Sequence, residues 1–152
     1  KETYNMDQET TDKKTKKFWQ SADKSILKSL PNPDQSAYEN RIKGTEITFL
    51  GVDEQPDFGV VYIDFYAKEK VIELKSLKKY FYQYRDMIIS YERLINTVYS
   101  HLKEVYQPSR LRITMEFNVR GGFSSKLTID SDWSVRGGKE EFSDWKNQKD
   151  TW

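Results

Sequence analysis

Apolar residues recur along this chain in two rhythms, and the switch between them marks its elements. From Leu111 to Val119 the pattern alternates: Leu111, Ile113, Met115, Phe117 and Val119 fall on one side, Arg112, Thr114, Glu116 and Asn118 on the other. A period of two with one apolar face predicts a half-buried antiparallel strand. Gly59 to Tyr66 is β-branched and aromatic almost throughout and predicts a second strand. Lys68-Glu69-Lys70 turns the chain back, so Val71-Ile72-Glu73-Leu74 is expected to begin that strand's partner. Shorter β-rich runs cover Glu46 to Leu50 and, after the Arg120-Gly121-Gly122 break, Lys126 to Asp130. The other rhythm is helical. Leu94, Ile95, Val98, Leu102 and Val105 share one face of a helix that Ser90 would cap and Pro108 would stop, near Tyr106.

Strand pair, helix, strand pair makes an α+β chain with an antiparallel sheet and helices on one face. Such a sheet leaves long edges that a soluble protein has to cover, and pairing edges between subunits would cover them, which predicts a homo-oligomer. Residues 1 to 24 are polar and carry the run Lys13-Lys14-Thr15-Lys16-Lys17, the pattern of a flexible arm whose end Phe18 and Trp19 would anchor. Residues 25 to 135 form the domain, entered through Ile26-Leu27-Lys28-Ser29-Leu30 and the breaker Pro31-Asn32-Pro33-Asp34. Residues 136 to 152 form a polar tail with a second Arg-Gly-Gly, at 136 to 138, and with Trp145 and Trp152.

Composition narrows the chemistry. Hydrophobic residues make up 36% and aromatics 14%, so tyrosine and phenylalanine carry much of the packing. The formal net charge of +1 gives no whole-chain pull towards nucleic acid or membrane, and direct nucleic-acid binding is not expected. No apolar run is long enough for a membrane span and no signal segment opens the chain, so a cytoplasmic location is expected. The absence of cysteine removes disulfides, thiolate zinc sites and thiol nucleophiles from this chain. A single histidine, His101, leaves no histidine-rich metal site.

Three clusters hold polar groups that packing does not demand. In Gln55-Pro56-Asp57-Phe58 the carboxyl lies between a proline and a phenylalanine, where partial desolvation would favour a proton donor. A turn aspartate bonding the backbone two positions on explains it as well. In Glu73-Leu74-Lys75-Ser76-Leu77-Lys78, strand alternation would put Glu73 and Lys75 on one face. A carboxylate there accepts two hydrogen bonds from a guanine-type edge, and Lys75 and Lys78 meet phosphates, although a solvated charged strand end has the same composition. The third cluster is Glu92, in the first turn of the helix, with Arg120-Gly121-Gly122. The helix dipole accounts for an acid at that place and turn chemistry for the glycines.

Taken in order, Ile26-Leu27-Lys28-Ser29-Leu30-Pro31-Asn32, Gln55-Pro56-Asp57-Phe58, Glu73-Leu74-Lys75-Ser76-Leu77-Lys78-Lys79-Tyr80, Tyr84-Arg85, Glu92 and Arg120-Gly121-Gly122 resemble the 7-cyano-7-deazaguanine (preQ0) reductase family of queuosine biosynthesis over about residues 25 to 125. The resemblance implies the tunnelling fold (T-fold), in which subunits pair their sheets into an oligomeric barrel and bind a purine- or pterin-like ring at the interface. It also implies NADPH as cofactor, and reduction of the nitrile of 7-cyano-7-deazaguanine to an aminomethyl group for tRNA modification. Carried over, Asp57 is the proton donor. Glu73 and Glu92 hold the deazapurine-like ligand, with Leu74, Ser76 and Tyr91 beside them. Lys75, Lys78, Arg120 and Gly121 meet the cofactor. One departure is plain. The family's nucleophilic cysteine stands seven residues before the aspartate, where this chain has Leu50, and a residue usually histidine in the family is Tyr91. Leu50 would instead give the pocket an apolar floor. Two further functions are therefore open: a Cys-less, repurposed or non-catalytic module that binds a deazapurine, purine or pterin, and hydrolysis with Asp53, Glu54 or Asp57 as acid or base.

Overall fold

The structure, a computed structural model, describes residues 17–134; the lysine run before Lys17 and the tail from 135, with Trp145 and Trp152, lie outside them. A six-stranded sheet forms the centre. Its strands are β1 (Lys17–Phe18), β3 (Asn40–Leu50), β4 (Pro56–Tyr66), β6 (Met87–Ile88), β7 (Arg110–Arg120) and β8 (Phe123–Asp130), in the order β1-β6-β3-β4-β7-β8. The long central ladders are antiparallel, while β1 on β6 and β6 on β3 are short parallel contacts. Two helices, α1 (Leu74–Tyr82) and α2 (Tyr91–Tyr106), supply the apolar layer against one face.

The sheet's two faces follow from alternation. Val61, Ile63 and Phe65 of β4 and Leu111, Ile113, Met115 and Phe117 of β7 are buried with Leu77 and Tyr80 of α1 and Leu94, Val98 and Leu102 of α2. The residues between them build a polar second face, with Arg41, Asp64, Arg112 and Asp130 in register across four strands. Charge alternates along that row, and Arg41 Nε sits 2.9 Å from the buried Asp64 carboxylate. Burial pushes the Asp64 carboxyl up, and its bond to Arg41 opposes the shift. Val119 departs from the predicted pattern: it is exposed because the β7–β8 register shifts between Phe117 and Arg120, just before the turn.

The helix from Ser90 forms as its sequence predicts. The Ser90 hydroxyl accepts from the Arg93 amide at 3.2 Å, and Gln107 closes the helix in the left-handed region at φ 47°. The segment after Tyr66 differs from expectation. Lys70–Ile72 (β5) does not return along β4; it pairs with Ser29–Pro31 (β2) in a separate two-stranded ladder. Glu73 is not a strand residue either: it caps α1, its side chain accepting from the Ser76 amide at 2.8 Å. Glu73 and Lys75 therefore do not share a strand face. In the same region β1 docks on β6, and the ring of Trp19 lies 4.2 Å under the Arg93 guanidinium.

Candidate functional site

Asp57 begins the site because it is charged, 3% exposed and placed on the apolar face of β4. Three donors meet its carboxylate. Its own neighbour's amide, on Phe58, reaches Oδ1 at 2.9 Å; the Tyr91 hydroxyl reaches Oδ2 at 2.6 Å; and Arg120 Nη1 reaches Oδ2 at 3.2 Å. The three come from separate elements: β4, the first residue of α2, and the end of β7. A buried charge is stable only when its lone pairs are filled in this way.

Each partner is itself held. The Tyr91 ring stacks on Phe117 at 4.0 Å with 5° between planes, and meets the edge of Phe49 at 5.8 Å. Desolvation, reinforced by the bond to Asp57, pushes the Tyr91 phenol up to about 12, so it remains a donor at neutral pH. Arg120 also donates to Gln55 Oε1 at 2.8 Å and lies 3.9 Å from Asp53. The bond to Asp57 raises the Arg120 guanidinium still further above neutrality. The β3–β4 turn is tied by Gly51 N to Gln55 O at 2.8 Å and Glu54 N to Gly51 O at 2.7 Å, with Glu54 at φ 66°.

These groups line a cavity of about 400 Å³, walled by Gly51, Val52, Asp53, Asp57, Ile89, Ser90, Tyr91, Glu92 and Arg120. That size admits a bicyclic heterocycle. Glu92 is exposed at the first turn of α2, with its carboxylate free to accept from a ring's N–H edge. Of the residues expected from sequence, Asp57, Tyr91, Glu92 and Arg120 thus meet in one place. Gly121 sits beside them, on the exposed turn at φ 57°.

The others lie elsewhere. Glu73, Leu74, Lys75, Ser76 and Lys78 belong to the start of α1, and none of them lines the Asp57 cavity. Ser76 is buried: its hydroxyl accepts from the Lys28 amide at 2.9 Å and donates to the Glu73 carbonyl at 2.7 Å, clamping α1 to the chain before β2. Leu74, Lys75 and Lys78 are exposed. Leu50 is not the floor of the cavity. In the β3–β4 register Phe49 pairs with Asp57 and Leu50 with Pro56, so alternation directs Leu50 to the sheet's other face. The lining position at the turn is Gly51. A Cβ added there would lie 3.0 Å from Asp53 Oδ1 and 3.5 Å from Arg120 Nη1. Gly51, the Phe49–Tyr91–Phe117 platform and the Gln55 and Asp53 contacts to Arg120 were not read from sequence, because each depends on a partner distant along the chain.

Comparison with known proteins is consistent with this geometry. A family model described as QueF-like protein matches residues 56–136. Three proteins named NADPH-dependent 7-cyano-7-deazaguanine reductase are similar. That of Thioalkalivibrio sulfidiphilus is 32% identical over 120 residues, covering 70% of this chain and 93% of that one. That of Helicobacter acinonychis is 33% identical over 128 residues, covering 83% and 82%. That of Chlorobaculum parvum is 40% identical over 74 residues, or 49% of this chain and 64% of that protein's length. Among solved structures, an archaeosine synthase QueF-Like in the apo form superposes with a TM-score of 0.57 at 17% identity, over 64% of this chain and 96% of that one, a likeness in fold.

Proposed function

The chain belongs to the QueF-like protein family, with its α+β tunnelling fold, and from that premise we propose that the Asp57 cavity binds a 7-deazaguanine-type heterocycle. The observation that carries this reading is the convergence of Asp57, Tyr91, Glu92 and Arg120 on one cavity of about 400 Å³. Glu92 accepts the ring's N1–H and exocyclic amine, a paired contact that a single carboxylate makes well. The stacked aromatics behind Tyr91 keep one wall rigid. Asp57 faces the reacting side, oriented by the hydroxyl that Tyr91 donates to it. As the chain stands, Asp57 accepts from three donors, so it must take up a proton from solvent before it can give one to a ligand; displacement of the Arg120 cation, the more exposed of the pair, would favour that uptake.

The proposed activity is NADPH-dependent reduction of 7-cyano-7-deazaguanine to the 7-aminomethyl compound, as the relatives' names describe for them. NADPH, when bound, supplies the hydride. Lys75 and Lys78, exposed cations on α1, suit its phosphates, while Arg120 and Gly121 lie at the ring cavity. One chain does not gather the two sets, which supports a homo-oligomer with sites between subunits. An edge strand favours the same assembly: among the described residues β8 ends the sheet with no strand beyond it, and Phe123 is 83% exposed. Among the described residues no helix is long and apolar enough to cross a membrane; a cytoplasmic site of action belongs to the proposal. The lack of any cysteine, with glycine at the lining turn, favours a second reading, a non-catalytic module that binds the same ring.

Calorimetry with 7-cyano-7-deazaguanine tests both. Binding is expected, weakened at least tenfold by Glu92→Gln, with no thioimide absorbance. Failure to bind any deazaguanine, pterin or purine would sink the site. Nitrile-dependent NADPH oxidation separates the reductase from the module.

A further inference from the structure

A second groove, of about 730 Å³, does not share its lining with the ring cavity and gathers five cations, Lys17, Lys75, Lys78, Lys79 and Arg85, and one carboxylate, Asp86, around the exposed ring of Tyr82. Its construction is specific. Lys75, Lys78, Lys79 and Tyr82 fall at helical spacing on the outer face of α1, while Leu77 and Tyr80 occupy the buried face. The parallel pairing of Lys17 with Met87 brings the N-terminal strand alongside, where Lys17 Nζ pairs with Asp86 Oδ2 at 3.8 Å, both side chains about half exposed. The Arg85 guanidinium lies 4.0 Å over the Tyr82 ring.

Among the described residues Lys75, Lys78, Lys79 and Arg85 form no ion pair with a carboxylate. Like charges three and four apart on a helix repel, so α1 carries these lysines at a cost in its own stability. On a chain with a net charge of +1 this is a local concentration of charge. The cofactor reading above uses only Lys75 and Lys78; Lys17, Lys79 and Arg85 are in excess of it. In sequence, Lys17 also ends the run Lys13-Lys14-Thr15-Lys16-Lys17.

Beside the groove lies a cleft of about 340 Å³ between β3 and α1, walled by Ile42, Leu74 and Phe81, which shares Lys78, Tyr82 and Arg85 with it. A line of cations for phosphates next to an aromatic–guanidinium platform and an apolar cleft for bases is the arrangement that suits a single-stranded polynucleotide. We infer that the Lys17–Lys79–Arg85 groove binds single-stranded RNA, with Tyr82 and Arg85 as the stacking platform. The inference goes beyond the ring-binding reading and does not depend on it.

The test is fluorescence anisotropy of the full chain with a labelled oligouridylate of about twelve nucleotides. Neutralising four phosphates gives a binding constant that falls roughly fifty-fold between about 50 and 200 mM salt. The double variant K17E/K79E is expected to abolish binding and Tyr82→Ala to weaken it about tenfold. Lys68→Glu, outside the groove, is expected to change nothing, and all three variants are expected to melt within about 2 °C of the parent. No binding at the lower salt, or unchanged binding by K17E/K79E, overturns the inference. NADPH affinity is read in parallel. If K17E/K79E loses RNA and leaves NADPH binding as it was, the inference holds. If it loses both to the same extent, the groove belongs to the dinucleotide and the inference fails. If the parent binds RNA and no NADPH, the inference stands and the cofactor reading falls.

Discussion

Replacing Tyr91 by phenylalanine deletes one oxygen and leaves the ring on its platform, so it isolates the bond to Asp57. The stacked contact with Phe117 at 4.0 Å and the edge contact with Phe49 need only the ring. The lost interaction is a 2.6 Å hydrogen bond into a carboxylate whose side chain is 4% exposed. Hydrogen bonds to charged groups contribute about 1.5–3 kcal/mol, and removing one leaves part of a buried charge unsatisfied. The hydroxyl is only half-buried, and water reaching the vacated corner recovers some of the loss, which places the expected cost near 1.5–2 kcal/mol. For a chain of this size that lowers the melting temperature by roughly 3–8 °C. Urea denaturation measures the cost directly, and a double-mutant cycle with Asp57→Ala, which removes the acceptor, assigns it. A coupling energy of about 1 kcal/mol or more is expected, because each single variant breaks the same bond. If Tyr91→Phe costs less than about 0.5 kcal/mol, or if the two changes simply add, then Asp57 does not depend on Tyr91 and the site is built differently from the account above.

Three further outcomes follow from named contacts. Desolvation, and secondarily Lys24, depress the His101 imidazole below its ordinary value. The unfolded chain then binds the proton more readily, so stability falls as pH drops below about 6.5 and levels off beneath the depressed value; the parent should lose stability relative to His101→Gln as pH falls below about 6.5, and parallel melting curves would refute this. Gly59→Ala places a Cβ 2.8 Å from the Glu116 carbonyl of the paired strand and 3.0 Å from the Phe117 ring, neither free to retreat, and should cost about 1–3 kcal/mol in denaturant titration. Ser90→Ala removes the cap of α2 and should cost about 1 kcal/mol, with Ser90→Asp close to the parent.

The parts of the fold that were legible are those whose burial is one-sided and whose signals are local. The Leu111-to-Phe117 alternation and the spacing of Leu94, Val98 and Leu102 each face one packed layer, and Ser90 and Pro108 bracket the helix chemically. Val71-Ile72 has the propensity of a strand and forms one, but with a partner other than the β4 strand that its position suggests. Its ladder joins Ser29–Pro31, about forty residues earlier, and no local pattern encodes that distance. The helix start at Glu73 did leave a trace: a capping acid followed three residues later by Ser76, with Leu77, Tyr80 and Tyr84 at helical spacing beyond. The β-rich look of the preceding run hid it.

The candidate site divides along the same line. Residue types at Asp57, Glu92 and Arg120 were readable; that Tyr91 and Arg120 meet one carboxylate from 34 and 63 residues away was not. Counting along the chain placed a missing nucleophile at Leu50, but counting carries no information about faces. The pleat sends Leu50 away from Asp57 and leaves Gly51 at the cavity wall. For the same reason Glu73-Leu74-Lys75-Ser76-Leu77-Lys78 identifies a family better than it locates a site. In the folded chain its glutamate caps a helix and its serine clamps Lys28, while only Leu74, Lys75 and Lys78 are exposed. Those three line grooves that the Asp57 cavity does not share. For the string and the aspartate to act on one molecule, a second copy has to bring them together, so the oligomeric state measured in solution decides whether they belong to a single site.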